Sequence, residues 1–215
     1  TLFICVILLT VFSFGQRGER DFTVMFYNVE NLFDTIDHPD FADEEFTPGS
    51  AKAWDYERYE KKLDDIARVI LSLPNKELPA LIGFAEVENI DVLKDLAKRK
   101  GLRKTPYKAI LLETNDPRGI DCGLLYREDM FTPISQELLP VKDLSGQDYP
   151  LREILYVKGK APDGELLNVY VNHWKSRRGG VKETEHLRVY TAIALRRHLD
   201  GLLSKQSDPR FILMG

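Results

Sequence analysis

Between Pro79 and the polar pair Glu88-Asn89 runs Leu81-Ile82-Gly83-Phe84-Ala85-Glu86-Val87, an apolar segment of strand length that carries one carboxylate. A run this short with no polar face reads as a buried strand, and a buried strand needs other elements packed over it. The chain supplies them. Upstream, Tyr59, Leu63, Ile66, Ile70 and Leu73 recur at steps of four and three, one apolar stripe on a helix that starts after Trp54 and that Pro74 terminates. Downstream, Ala192, Leu195, Leu199 and Leu202 stripe a second long helix. Further strands are expected at 22–29, 107–113, 120–126, 154–158, 167–173 and 211–215, with the turn Ala161-Pro162-Asp163-Gly164-Glu165 making a hairpin of two of them. Val92, Leu93, Leu96 and Ala97 predict a brief helix capped by Asp91. Residues 32–53, acidic, with Pro39, Pro48 and Gly49 and no helical period, read as an ordered surface loop. Interleaved strands and helices define an α/β layered domain, not a bundle or a pure sandwich.

At 215 residues and 24.7 kDa the chain suffices for one domain with a real core and is short for two. A formal net charge of −4 and a pI near 5.7 exclude a protein that holds nucleic acid through a basic surface overall. Phosphate-bearing ligands must be attracted locally. Residues 2–14 are almost unbroken apolar, too few to span a bilayer but of the length of a secretory signal's hydrophobic region, with a cleavage position after Gly15. A first strand or buried helix is the alternative. The expected division is a partial signal peptide at 1–15, lacking its basic stretch and initiator Met, and one domain at 16–215. The mature protein is then secreted or periplasmic, with no membrane span. Cys5 leaves with the signal, and Cys122 remains alone in a strand as core.

Three polar residues close expected strands, which are rigid places from which to aim a side chain. Glu86 is the oddest, since a lone buried carboxylate is costly unless it is paired or metal-bound. It can ligate Mg²⁺, pair with an arginine, or face solvent at the sheet margin, and Glu88 is the rival ligand. Asn28 can orient a carboxylate or a phosphate oxygen through its amide, or simply form a turn. His173, after the alternating Leu167, Val169 and Val171, is either structural or a catalytic acid or donor to phosphoryl oxygens. Beside it lie Asn172 and a basic loop with Lys175, Arg177, Arg178 and Lys182, where Gly179-Gly180 permits close backbone approach. Asn172, Lys175 and Arg177, with Arg118, are the substrate-binding candidates. Asp121 either orients an imidazole or belongs, with Arg118, to a polar turn. His186 and His198 are expected on the second long helix, solvated, and Arg99, Lys100, Arg103 and Lys104 receive no substrate role.

Four blocks, Phe26-Tyr27-Asn28-Val29-Glu30-Asn31-Leu32-Phe33-Asp34, Gly83-Phe84-Ala85-Glu86-Val87-Glu88-Asn89, Arg118-Gly119-Ile120-Asp121 and Val171-Asn172-His173-Trp174-Lys175-Ser176-Arg177, follow one another in an order that resembles the endonuclease/exonuclease/phosphatase superfamily, in particular its secreted bacterial members. The resemblance covers nearly all of the chain after the signal. It implies the deoxyribonuclease-I-like four-layered α/β sandwich. It also implies a divalent metal, Mg²⁺ with Mn²⁺ or Ca²⁺ as substitutes, held by Glu86 and Asn28, with His173 as one of two active-site histidines. Water attacks phosphorus in line while metal and cations stabilise the developing charge. The implied function is phosphodiester hydrolysis, first of all by a nuclease acting on DNA or RNA. Hydrolysis of a phospholipid or another phosphoester, and a non-catalytic polyanion-binding module, are the other readings. The family continues with a Gly-Asp-Phe-Asn block and a Ser-Asp-His block beyond the point reached at Gly215. The 215-residue form is therefore expected to be a partial sequence, incomplete at the carboxyl end and inactive by itself.

Overall fold

Strand pairing in a computed structural model, which describes residues 21–74 and 77–215, flanks the apolar segment 81–87 along both edges. The expected signal peptide lies outside the described residues. Chain order is β1 (Val24–Leu32), α1 (Tyr56–Leu71), β2 (Leu81–Val87), α2 (Ile90–Ala97), β3 (Tyr107–Leu111), β4 (Asp121–Arg127), β5 (Thr132–Leu139), β6 (Ile154–Lys160), β7 (Leu166–Val171), α3 (Glu185–Leu203) and β8 (Arg210–Met214). The strands form two four-stranded sheets, ordered β1-β2-β4-β3 and β5-β6-β7-β8. Each sheet contains one parallel pair, β1 with β2 and β7 with β8, joined across α1 and α3 respectively. The remaining pairs are antiparallel.

The layers run helices, sheet, sheet, helix, and the period of each strand decides which core a side chain enters. Ile82, Phe84 and Val87 of β2 pack under α1 and α2 with Leu63, Ile66, Ile70, Leu93 and Leu96. Leu81, on the opposite face, meets the second sheet in a core with Leu124, Leu155, Val157, Val169, Val171 and Met214. The outer face of that sheet offers Ile154, Tyr156 and Tyr170 to Leu195 of α3. Each fully buried leucine or isoleucine here contributes roughly 1.5–3 kcal/mol of transfer free energy. The loop after β1 carries a small core of its own, in which Phe33 stacks on Phe46 with centroids 4.0 Å apart over Ile120.

Several expectations need correction. Helix α2 is capped by Asn89, whose side chain accepts from the Asp91 and Val92 amides, so Asp91 lies inside the first turn. Strand β5 carried no periodic signal, because it is an edge strand with Pro133 in it and only Leu139 buried. His198 is packed and bonded: its Nδ1 lies 2.8 Å from the Tyr170 hydroxyl, and its ring meets Tyr156 edge-on. Arg99 ties the end of α2 to α1 through Glu60 and Asp64. Among the described residues no helix is long and apolar enough to cross a membrane.

The sheets approach closely where side chains are absent. A Cβ added at Gly159 of β6 would lie 2.2 Å from Cζ of Phe131, a ring that is 1% exposed and has nowhere to move. Gly159→Ala should therefore lower stability by about 1–3 kcal/mol. A fall in the urea midpoint at unchanged slope is the expected outcome, and an unchanged midpoint would show that the Phe131 ring can move aside.

Candidate active site

Strands β1 and β2 are parallel, so their carboxyl ends share one rim of the first sheet, and both break their regular geometry there. Glu86 has φ +64° and coincides with a register shift against β4 between Ala85 and Val87. On β1, Glu30 and Asn31 have φ +54° and +62°, with a second shift between Asn28 and Leu32. These are bulges, which insert a residue and re-aim side chains. In an uninterrupted β2, Glu86 would follow Ile82 and Phe84 under the helices. The bulge gives that place to Val87 and leaves Glu86 on the rim.

Three strand ends meet at this carboxylate. Asn28 Nδ2 donates to Glu86 Oε1 at 3.2 Å, and His173 Nε2, from the residue pair after β7, lies 3.4 Å from the same oxygen. Because the Glu30 amide donates to Asn28 Oδ1 at 2.9 Å, the amide orientation of Asn28 is fixed. Its oxygen accepts from the backbone and its nitrogen donates to Glu86, the contacts of a group that orients the carboxylate. Burial, with the Arg152 charge adding to it and Glu86 opposing, pushes the His173 imidazole down to about 4. His173 Nδ1 is buried and has no hydrogen-bond partner among the described residues.

The rim opens into a cleft of about 560 Å³ lined by Glu86, His173, Arg118, Arg152, Lys175 and Arg178, with Pro117, Pro150 and Leu151 among its walls. Arg152 is the residue that sequence reasoning missed. Its Nη1 holds Asp116 at 2.8 Å and its Nε donates to the His173 carbonyl at 3.2 Å, which joins three loops. The available signal was a cation directly before an apolar strand, the placement that singled out Arg118. Arg118 itself shares Asp116, at 3.3 Å, and is half exposed. Burial raises the Asp116 carboxyl, but hydrogen bonds from Arg118 and the charge of Arg152 outweigh it and hold the group below its ordinary range.

Other expected residues lie elsewhere. Asn172 is 4% exposed, donates to the Met214 carbonyl at 2.9 Å and accepts from Trp174, so it ties β7 to β8 and is not in the cleft wall. Arg177 is also outside the wall; Arg178 takes its place. Glu88, the rival ligand, faces away and accepts from the Asp34 amide at 2.6 Å, with burial raising its carboxyl to about 7. Asp121 does not touch the imidazole, since its Oδ1 takes the Thr114 amide and hydroxyl at 2.9 and 2.6 Å.

No group of three or more His, Cys, Asp or Glu gathers to cage a metal among the described residues. Glu86 Oε2 makes no hydrogen bond among them, and Glu86 lines the cleft. One open carboxylate suits Mg²⁺, which keeps most of its waters, better than Ca²⁺, which needs six to eight oxygens. The donor set therefore fits a divalent cation that keeps most of its waters, held at Glu86.

Four layers with a carboxylate, an amide and an imidazole on one rim define a deoxyribonuclease-I-like fold. Residues 23–215 match the model of the Endonuclease/Exonuclease/phosphatase family, and the chain belongs to that family. No curated protein matches the sequence. Similar solved structures include the catalytic domain of human nocturnin with bound sulfate anion (TM-score 0.58, 15% identity, 88% of this chain and 62% of that one). A mannosyl-6-phosphatase from Bacteroides thetaiotaomicron (0.56, 16%, 90% and 64%) and a humanised D. rerio TDP2 (0.52, 14%, 88% and 59%) are also similar. The chain thus spans about three fifths of the length of these structures.

Burial raises the Asp121 carboxyl from 3.8 to about 6, although Thr114 opposes it. A raised folded-state value means that its contribution to stability is complete below pH 4 and is lost as pH climbs through 6. Asp121→Asn removes the charge and keeps an oxygen for Thr114. Denaturant titrations should find it little changed at pH 4 and stabilised at pH 8, by at most about 3 kcal/mol. A wild type at least as stable as the variant at pH 8 would contradict this.

Proposed function

We propose that the protein to which this chain belongs is a phosphoester hydrolase that uses a divalent metal, Mg²⁺ first of all, to cleave phosphodiester bonds in DNA or RNA. One juxtaposition carries this reading: Asn28, Glu86 and His173, from three separate strand ends, meet within 3.4 Å of one carboxylate oxygen at the mouth of a cleft walled by cations.

In this reading Glu86 holds the metal through its open oxygen while Asn28 fixes the carboxylate's orientation. Bound Mg²⁺ supplies Lewis-acid polarisation of a phosphoryl oxygen and a more acidic water. His173 places its Nε2 beside Glu86 at the cleft, where as the Nε2–H tautomer it would donate to a phosphoryl oxygen, and Arg152 holds its backbone from behind. Arg118, Lys175 and Arg178 offset the phosphate charge, which a chain of net charge −4 cannot do with its surface as a whole. Arg118 and Lys175, which line the cleft, are the substrate contacts in this reading. The apolar run at 2–14 supports a secreted or periplasmic protein.

A second reading, a small phosphoester as substrate, is favoured by the size of the cleft, about 560 Å³ with proline and leucine walls, which would seat a phosphorylated sugar. The similar B. thetaiotaomicron structure is named as a phosphatase acting on such a group.

The test uses the full-length protein with plasmid DNA, RNA and a hexose phosphate, with and without EDTA. EDTA should abolish turnover. Glu86→Gln should cost at least about 10²-fold in kcat with the fold intact, and Glu88→Gln far less. Cleavage of the sugar phosphate alone would select the second reading, and a reversed order of the two glutamates would overturn the site.

A further inference from the structure

We infer that Lys62, on α1 and outside the cleft, is a positioning residue for the Glu86 carboxylate, acting through the bulge at the end of β1. The inference rests on the reading of Glu86 as the metal-holding group.

A left-handed backbone pair at Glu30 and Asn31 is unfavourable for residues with a Cβ, by roughly 1–2 kcal/mol each. It also turns two carbonyls out of the β ladder that must find donors elsewhere. Lys62 supplies them. Its Nζ donates to Glu30 O at 2.5 Å and to Asn31 O at 3.1 Å. Trp54, over whose ring the same ammonium lies at 5.7 Å, donates from Nε1 to Asp34 O at 2.7 Å, which pins the next stretch.

From this clamp a line of single contacts runs to the site. The Glu30 amide, held in place by the bulge, donates to Asn28 Oδ1 at 2.9 Å, and Asn28 Nδ2 donates to Glu86 Oε1 at 3.2 Å. If Glu30 turned back to extended geometry its amide would leave Asn28, whose side chain could then rotate away from the carboxylate. No other side chain among the described residues bonds the Glu30 or Asn31 carbonyl. A lysine half-buried on the far side of β1 thereby governs how one oxygen of Glu86 is presented.

The experiment measures Mg²⁺ binding to the full-length protein by calorimetry, together with hydrogen exchange at residues 28–32. Lys62→Met should weaken Mg²⁺ at least tenfold, the scale of lost support behind a metal ligand, and speed exchange at the Glu30 amide. Lys62→Arg, which keeps donors and charge, should stay within about threefold of wild type. Should Lys62→Met fail to fold, Lys62→Gln, which keeps an amide NH₂ and no charge, should weaken Mg²⁺ by more than Lys62→Arg does, and an affinity equal to that of wild type would overturn the inference. Unchanged Mg²⁺ affinity in Lys62→Met, with Glu86→Gln binding lost, overturns this inference alone. Binding that survives Glu86→Gln, or a wild type that takes up no Mg²⁺, overturns the proposed function and this inference with it.

Discussion

The left-handed turn of the backbone at Glu86 is the constraint on which the rest of the rim depends. A strand between two helices and a second sheet has no polar face, and a carboxylate within it would be buried without a partner at a cost of several kcal/mol. Rotating one residue to φ +64° costs about 1–2 kcal/mol, and it moves the carboxylate to the margin while Val87 fills the vacated place in the helix-side core. The smaller penalty prevails. The bulge is thus a solution to a packing problem, and the same displacement makes Glu86 available to ligands.

Charge is handled just as locally. Arg152 and Asp116 are both about one tenth exposed and hold each other at 2.8 Å, yet the Arg152 charge still outweighs that of Asp116 at the His173 imidazole. Their work is also mechanical, because Arg152 binds the His173 carbonyl and locks the strand end to two loops. Among the described residues Lys175 and Arg178 line the cleft without an ion-pair partner, and Arg118 divides its charge between Asp116 and the opening. An acidic protein can therefore present a cationic cleft, because a field several ångströms across is set by neighbours and not by net charge.

Legibility in the sequence followed burial. The strand at 81–87 and the stripe on α1 were readable because their apolar periods reflect cores that exist in the structure, and the hairpin at 161–165 because Pro-Asp-Gly encodes a turn. Strand β5 was not readable, since an edge strand owes its pairing to β6 and buries almost nothing of its own. Within the site, Glu86, Asn28 and His173 stood out as polar residues closing apolar runs. Arg152 did not, for although it precedes its strand as Arg118 does, no glycine turn or second polar residue of a recognisable block marks it. The direction of Asn172 was also beyond reach: whether a polar residue at a strand end faces a cleft or a neighbouring strand depends on where β8 pairs, which no local pattern records.

Because Asn28 and Glu86 come from one sheet and His173 from the other, the 3.4 Å contact between imidazole and carboxylate is a measure of the spacing between the sheets. That spacing is set where Gly83 of β2 faces Met214 and Val171, the latter two residues before His173, with 3.0–3.3 Å available to a Cβ that glycine does not have. A Cβ there would press first on the end of the Met214 side chain and then on Val171, so a larger side chain would disturb the strand that carries His173. The inter-sheet core, which contains no polar group of the site, therefore fixes its critical distance. The two parallel pairs share the task, since β1-α1-β2 and β7-α3-β8 each deliver a strand's carboxyl end to the same rim. Chemistry at the rim and packing between the layers are in this sense a single constraint, felt first at Glu86 Oε1.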